Sequence, residues 1–216
     1  MKDNGRLAIW NDCAAGWEED YEDWYQSEHL FERLGVPGFR LGRRYRAVAA
    51  ERTYFTYYET AGPETLSTPA YLERLENPTV WTQRMMSDAF TNMSRTVCAC
   101  RWQVGVMRGA FAVTLSSADR LAEPEFEALL DSVAEQPSVA RAELWVAAED
   151  DGRPQSREEE MRGGDEKIAV CTLFETLRED DARELAACLE ARLDFEGGRV
   201  DVYQLLCELS AEQLQR

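Results

Sequence analysis

The chain holds a single imidazole, His29, with proton-handling and hydrogen-bonding residue types close to it in sequence. An imidazole titrates near neutrality, so His29 is suited to give or take a proton at pH 7 without any shift. Tyr25 stands four residues earlier, one helical turn away, where its hydroxyl suits a developing enolate. Glu28 or Asp12 is placed to orient the ring. Around the catalytic candidates His29, Tyr25 and Glu28, the expected substrate contacts fall into three kinds. Asn11 and Asp12 are polar groups at the end of a strand, Trp10, Tyr54, Tyr57 and Trp81 form an aromatic wall, and Arg43 or Arg95 holds an anionic group. Plainer roles stand beside these. His29 packs or caps near a helix end, Glu28 pairs with Arg33, Arg43 or Arg44 or is partly exposed, and the aromatic residues are ordinary core.

These residues need a scaffold, and the sequence lays one out twice. Leu7 to Cys13 reads as a strand, Trp17 to Leu34 as a helix, and Gly35, Pro37 and Gly38 as its stop. Phe39 to Val48 and Arg52 to Glu59 are strands, the second alternating Thr53, Phe55 and Tyr57 against Tyr54, Thr56 and Tyr58. Helical runs follow from Thr68 to Asn77 and from Thr79 to Asn92, and Arg95 to Trp102 closes the unit as a strand. The second half repeats the order. Gly109–Leu115, Val139–Ala148, Lys167–Glu175 and Arg199–Leu209 are strands, Glu123–Gln136 and Asp180–Leu193 are helices, and 149–166 is a charged loop expected to be mobile, as simple disorder in preference to a functional lid. Each half is a βαββαβ, or ferredoxin-like, unit. A four-stranded sheet with both helices on one face leaves the other bare, and pairing two such faces covers both. The expected class is therefore α+β, with repeats over 1–103 and 104–216 closing one internal barrel and His29 facing a cavity between the two sheets.

Along the first helix each residue turns about 100°. Trp17, Tyr21, Trp24 and Phe31 then share an apolar face, with Glu28 inside the stripe and Tyr25, His29 and Glu32 at its edge.

With 41 acidic against 24 basic residues, the net charge of −17 argues against a nucleic-acid partner. No run approaches the ~18 apolar residues of a membrane helix, and the first residues lack the apolar stretch of a signal peptide, so a cytoplasmic location without membrane contact is expected. Six scattered cysteines fit a reducing compartment, and one histidine without paired cysteine motifs leaves no zinc site. No metal or cofactor is expected. The expected partner is a small molecule, with a homodimer as an allowed assembly.

The run Trp24-Tyr25-Gln26-Ser27-Glu28-His29-Leu30-Phe31-Glu32-Arg33-Leu34, followed by Val36-Pro37-Gly38-Phe39, resembles the dimeric α/β-barrel proteins, particularly their EthD-like members, where a Tyr-x-x-x-His-Leu segment precedes a Pro-Gly-Phe turn. Trp10-Asn11-Asp12 and Asn92-Met93-Ser94-Arg95-Thr96 fit the same pattern. The match spans about residues 7 to 100. It implies a barrel whose relatives include cofactor-independent monooxygenases, cyclases, isomerases, dehydratases and, more distantly, haem enzymes, with His29 as general acid or base. The Glu123–Gln136 helix has no histidine, tyrosine or tryptophan, so the site is expected in the first repeat and the second as its structural mate.

Three readings follow. The first is a cofactor-free lyase, isomerase or cyclase acting on an aromatic, polyketide-like or other carbonyl-bearing metabolite. The second is oxidative: cofactor-free oxygenation, or haem chemistry with His29 as axial ligand. The third is a non-catalytic binding or scaffold barrel.

Overall fold

In β1 (Asn4–Cys13) successive side chains point to opposite faces. Leu7 and Ile9 join one apolar cluster while Ala8 and Trp10 join another. This alternation, repeated around the molecule, separates three cores. The structure is a computed structural model and describes residues 4–119, 130–149, 156–192 and 198–215. The other strands are β2 (Phe39–Ala49), β3 (Tyr54–Thr60), β4 (Phe90–Val104), β5 (Phe111–Ser117), β6 (Val139–Ala147), β7 (Val170–Thr176) and β8 (Gly198–Ser210). All pair antiparallel, and they close a barrel in the order β1-β3-β2-β8-β5-β7-β6-β4.

That order contains the ferredoxin-like sheet twice, as β4-β1-β3-β2 and as β8-β5-β7-β6. Two equivalent seams join the halves, β2 with β8 and β4 with β6. The chain is thus α+β, two tandem ferredoxin-like repeats forming an intramolecular barrel. Its interior holds Trp10, Tyr45, Phe55, Tyr57, Trp145 and Tyr203, with Trp10 stacked on Phe55 at 4.9 Å between ring centroids. One end is closed by buried ion pairs across the repeats: Arg6 with Glu143, and Arg43 with Glu175.

Helices cover the outer faces. Over the first sheet lie α1 (Glu18–Trp24), a π-helical turn (Tyr25–His29) and α2 (Leu30–Leu34), which run on continuously. They are joined by α3 (Pro69–Glu76), α4 (Val80–Arg84) and a second π-helical turn (Met85–Ala89). The second repeat carries α5, described over 130–134, α6 (Arg157–Met161) and α7 (Glu179–Arg192). Much of the expected Glu123–Gln136 helix, and residues 150–155 of the expected loop, lie outside the described residues. No helix among the described residues is long and apolar enough to cross a membrane.

Three expectations about elements change. β4 begins at Phe90, where a helix was expected to continue to Asn92. Residues 156–166 are folded: Ser156 caps α6 through a reciprocal bond with Glu159, and Glu166 is tied to β4. Phe31 is 44% exposed, because the π-helical turn inserts a residue and shifts the helical phase, turning Leu30 and Leu34 inward in its place.

Candidate functional site

The same phase shift builds the site. In a regular helix, residues five apart point in different directions, but across the wider π turn they meet. Trp24 and His29 accordingly lie with ring centroids 4.0 Å apart at 30°, and Tyr25 meets His29 edge-on at 5.1 Å. Extra-residue turns of this kind often occur at functional positions. The second π turn buries Met85 and Met86 opposite.

Between these helices and the outer face of the first sheet lies a cavity of about 20 Å³. Tyr25, His29 and Arg33 line it from the helix, Tyr58 from β3, and Phe90, Met93 and Arg95 from β4. Tyr71 and Met86 come from the second helical layer, and Glu158 and Arg162 from the second repeat. A site between the two sheets was expected; among the described residues the barrel interior is packed with aromatic side chains, and His29 faces the opposite side of its sheet. Nor does the first repeat supply the whole lining.

His29 is buried, and its Nε2 accepts a hydrogen bond from Arg33 Nε at 3.4 Å. The remaining ring proton therefore sits on Nδ1, which has no partner. Burial, reinforced by the guanidinium charges of Arg33, Arg44 and Arg162, holds the imidazole pKa well below its ordinary value, so the ring is neutral at pH 7. Arg33 Nη2 donates to both carboxylate oxygens of Glu158, at 2.5 and 2.7 Å, while its Nη1 has no partner. Tyr58 Oη is also buried and unpartnered. Three orphaned polar groups thus belong to residues lining one small cavity, where unmet hydrogen bonding is costly without a guest. Behind Tyr25 lies Arg44, buried, with its guanidinium carbon 3.7 Å from the Tyr25 ring centroid and its Nε and Nη2 unpartnered. That cation adds positive potential beneath the ring.

Of the expected site residues, the structure brings Tyr25, His29 and Arg95 together at the cavity. The others lie elsewhere. Trp10 and Tyr57 point into the barrel, because their alternation phase is opposite to that of Ile9 and Tyr58. Asn11 binds the Tyr21 hydroxyl at 2.9 Å, and Asp12 accepts from the Thr53 amide and the Asn92 side chain. Arg43 closes the barrel end with Glu175 and Glu208. Tyr54 donates to Glu22 and Trp81 to Asp20, both pinning the helical layer from its far side. Glu28 meets none of the expected arginines. It accepts from Thr79 and Thr82, at 2.5 and 3.2 Å, and so ties the two helices together. Arg33, Tyr58, Tyr71, Met86, Met93, Glu158 and Arg162 were not expected. Arg33 was within reach of sequence reasoning, four residues beyond His29; the two residues of 156–166 carry no local signal that brings them to this helix.

The residues do not fit haem as an axially ligated group. The Nε2 lone pair of His29 faces Arg33, Trp24 covers the ring, and about 20 Å³ is far below the roughly 300–1,000 Å³ of pockets for larger ligands. A cavity of that size accommodates one water or a diatomic molecule.

No protein-family model and no curated protein sequence matches the chain. Solved structures do. An anthrone oxidase-like protein aligns with TM-score 0.62 and 11% identity, covering 98% of this chain and 94% of that one. The fold is that of the dimeric α/β-barrel proteins. A proposed monooxygenase from Fusobacterium nucleatum aligns with TM-score 0.58 and 10% identity, covering 97% and 96%. A proposed chlorite dismutase aligns with TM-score 0.56 and 11% identity, covering 96% of both chains. These neighbours overturn the expectation of a lyase, isomerase or cyclase, since all three carry the names of oxidative proteins.

Proposed function

We propose that this barrel is a cofactor-independent oxidase or oxygenase that uses dioxygen on an aromatic carbon acid, with the first repeat holding the site and His29, Tyr25, Tyr58, Arg33 and Arg95 as its working residues. The observation that carries the reading is the trio of unmet polar groups, His29 Nδ1, Arg33 Nη1 and Tyr58 Oη, on residues that line a cation-rich cavity. Such a set favours an anion over its conjugate acid. A substrate whose CH₂ is activated by conjugation with a carbonyl through fused aromatic rings, as in the anthrone class named for one neighbour, then loses its proton to solvent and is held as the enolate at this site, where α6 must give way because about 20 Å³ does not admit it. The enolate carbon bonds to O₂ after electron transfer, giving a peroxide anion. Neutral His29 donates its Nδ1 proton to that anion and regains one from solvent, replacing the proton released in enolate formation, and loss of water from the hydroperoxide leaves a carbonyl. The balance is R₂CH₂ + O₂ → R₂C=O + H₂O, with carbon oxidised and dioxygen reduced. The Tyr25-x-x-x-His29-Leu30 segment and the Pro37-Gly38-Phe39 turn, with Gly38 at φ +99°, support placing the first repeat with the EthD-like branch of the fold.

The test is oxygen consumption by purified protein supplied with anthrone and a chelator. Replacing His29 by Leu, which removes the donor, is expected to lower the rate by about 100-fold or more. Unchanged oxygen uptake in that variant, or uptake only after haem or flavin is added, overturns the reading.

A further inference from the structure

Glu158 is a buried carboxylate seated in the same cavity as His29, contributed by a segment of the other repeat. It meets Arg33 as a bidentate pair in which both side chains are about 4% exposed. The neighbouring Glu159 lies 3.6 Å from Arg95 Nη1, and Arg95 Nη2 donates to Tyr71 Oη at 2.7 Å. Of the three lining guanidiniums, Arg33 and Arg95 are therefore met by carboxylates of α6, and Arg162 by Asp165. The pull of the Ser156 backbone and of Arg95 outweighs burial and holds Glu159 at about 2, so it is fully charged at neutral pH. Apolar attachment of α6 is slight, with Met161 packed partly against the first core. The remaining ties to the rest of the chain are polar: Arg162 with Met86 Sδ, the Arg157 amide with Glu76, and Glu166 with Arg52 and with the backbone of β4 at Met93 and Arg95.

We propose that residues 156–166 are an internal substrate mimic: Glu158 fills the carboxylate position of an aromatic carboxylic acid, and the true ligand enters by displacing it. This deepens the oxidative reading of the site, on which it rests for the identity of the cavity, by naming the substrate class and a competing contact within the chain. Arg33 meets the carboxylate through Nη2, which donates to both oxygens, and its unpartnered Nη1 leaves one more donor for an acidic ligand. Tyr25, Tyr58, Tyr71 and Phe90 supply the aromatic walls for a planar body. With α6 seated the cavity is about 20 Å³, too small for any aromatic acid, so ligand and Glu158 exclude one another. Hinging is provided by the β4 tie at Glu166, itself paired with Arg52, which lies beyond Glu158 and Glu159 and does not depend on their contacts with Arg33 and Arg95.

The test is equilibrium binding, without turnover. By titration calorimetry, 2-naphthoate is expected to bind Glu158→Gln about tenfold tighter than wild type, while the neutral 2-naphthamide gains nothing. In the wild-type protein, saturating 2-naphthoate is expected to accelerate amide hydrogen exchange across 157–162, because the segment has been displaced. This second measurement needs no variant to fold. Equal affinity of both proteins for naphthoate, an equal gain for the amide, or slowed exchange in 157–162 overturns the proposal. Binding that behaves as expected together with an absence of oxygen consumption leaves the mimic standing and removes only the oxidative reading.

Discussion

Glu143 is the residue whose removal tests most directly how the two repeats are held together. It lies in β6 of the second repeat, fully buried, and accepts from Arg6 of β1 through two bonds of 2.8 and 3.0 Å. It also accepts from Arg141 Nε at 2.9 Å and from the Trp145 indole at 2.7 Å. Burial alone would raise its pKa, but the charges and hydrogen bonds of Arg6 and Arg141, with the Trp145 bond, outweigh it and pull the carboxyl from 4.5 down to about 2. A gap of that size is worth roughly 3 kcal/mol of folding stability at neutral pH. Because the folded pKa lies below the unfolded one, this contribution is complete above pH 4.5 and is lost as the pH falls towards 2. Glu143→Gln leaves Arg6 and Arg141 buried with only Glu59, at 3.6 and 3.7 Å, for compensation. The expected loss at pH 7 is about 3 kcal/mol, the lower end of the range for breaking a buried pair. Urea denaturation of both proteins from pH 7 to pH 3 measures it, and the difference between them should shrink below pH 4.5. Replacing the pair together, Arg6→Met with Glu143→Leu, should recover most of the loss, since apolar filling removes the desolvation cost as well as the attraction. A difference under about 1 kcal/mol at pH 7, or one that does not change with pH, refutes the reasoning.

Two further expectations follow from the helix side of the first sheet. His29 is the only histidine, so its imidazole protons can be followed by NMR without assignment; burial and three nearby arginines predict no titration midpoint at or above 6.5. Its neutral form is favoured by folding, so this term of stability is intact above pH 6.5 and is lost as the pH drops below it, and a midpoint at 6.5 or higher contradicts the assignment. At Gly42, an added Cβ would stand 2.7 Å from Leu30 Cδ1 and 3.0 Å from Tyr58 Cε1, so Gly42→Ala should destabilise the protein by about 1–3 kcal/mol in thermal or urea unfolding. A neutral result there means that the helix packs less closely on the sheet.

The sequence carried the scaffold because its signals are local. Alternation in 53–58, the Pro37-Gly38 stop and the repeated βαββαβ order each follow from neighbouring residues, and together they specify the barrel. Alternation also carried information that a single aromatic wall ignored: Tyr54 and Tyr57 are three apart in a strand and must face opposite sides. His29 and Tyr25 were legible as a pair one turn apart. Their true surroundings were not, because the π turn that brings Trp24 onto His29 and sends Phe31 outward leaves no mark in a 100° periodicity. Glu28 shows the same limit. Its stripe position suggested an arginine partner, whereas its neighbours are two threonines of another helix, a choice made by packing.

The contribution of Glu158 is explained by topology. β4 pairs with β6 at one seam, with Cys98 opposite Ala147. Of the connection after β6, the Ala148 amide donates to Val97 of β4, and Glu166 bridges Ser94 before β7 begins. Any long β6–β7 connection is delivered in this way to the outer face of the other repeat, beside Met93 and Arg95. The first repeat has only a four-residue turn, 50–53, at the equivalent place between β2 and β3, so nothing comparable reaches across the β2–β8 seam. Two separate identical subunits would carry the same connection at both seams. Fusion allows one copy to lengthen and the other to remain a turn, and so lets one helix face acquire a charged cover while its counterpart does not. The asymmetry of the site follows from the unequal lengths of the β2–β3 and β6–β7 connections, and it puts the polar groups lining the cavity on one side of the molecule.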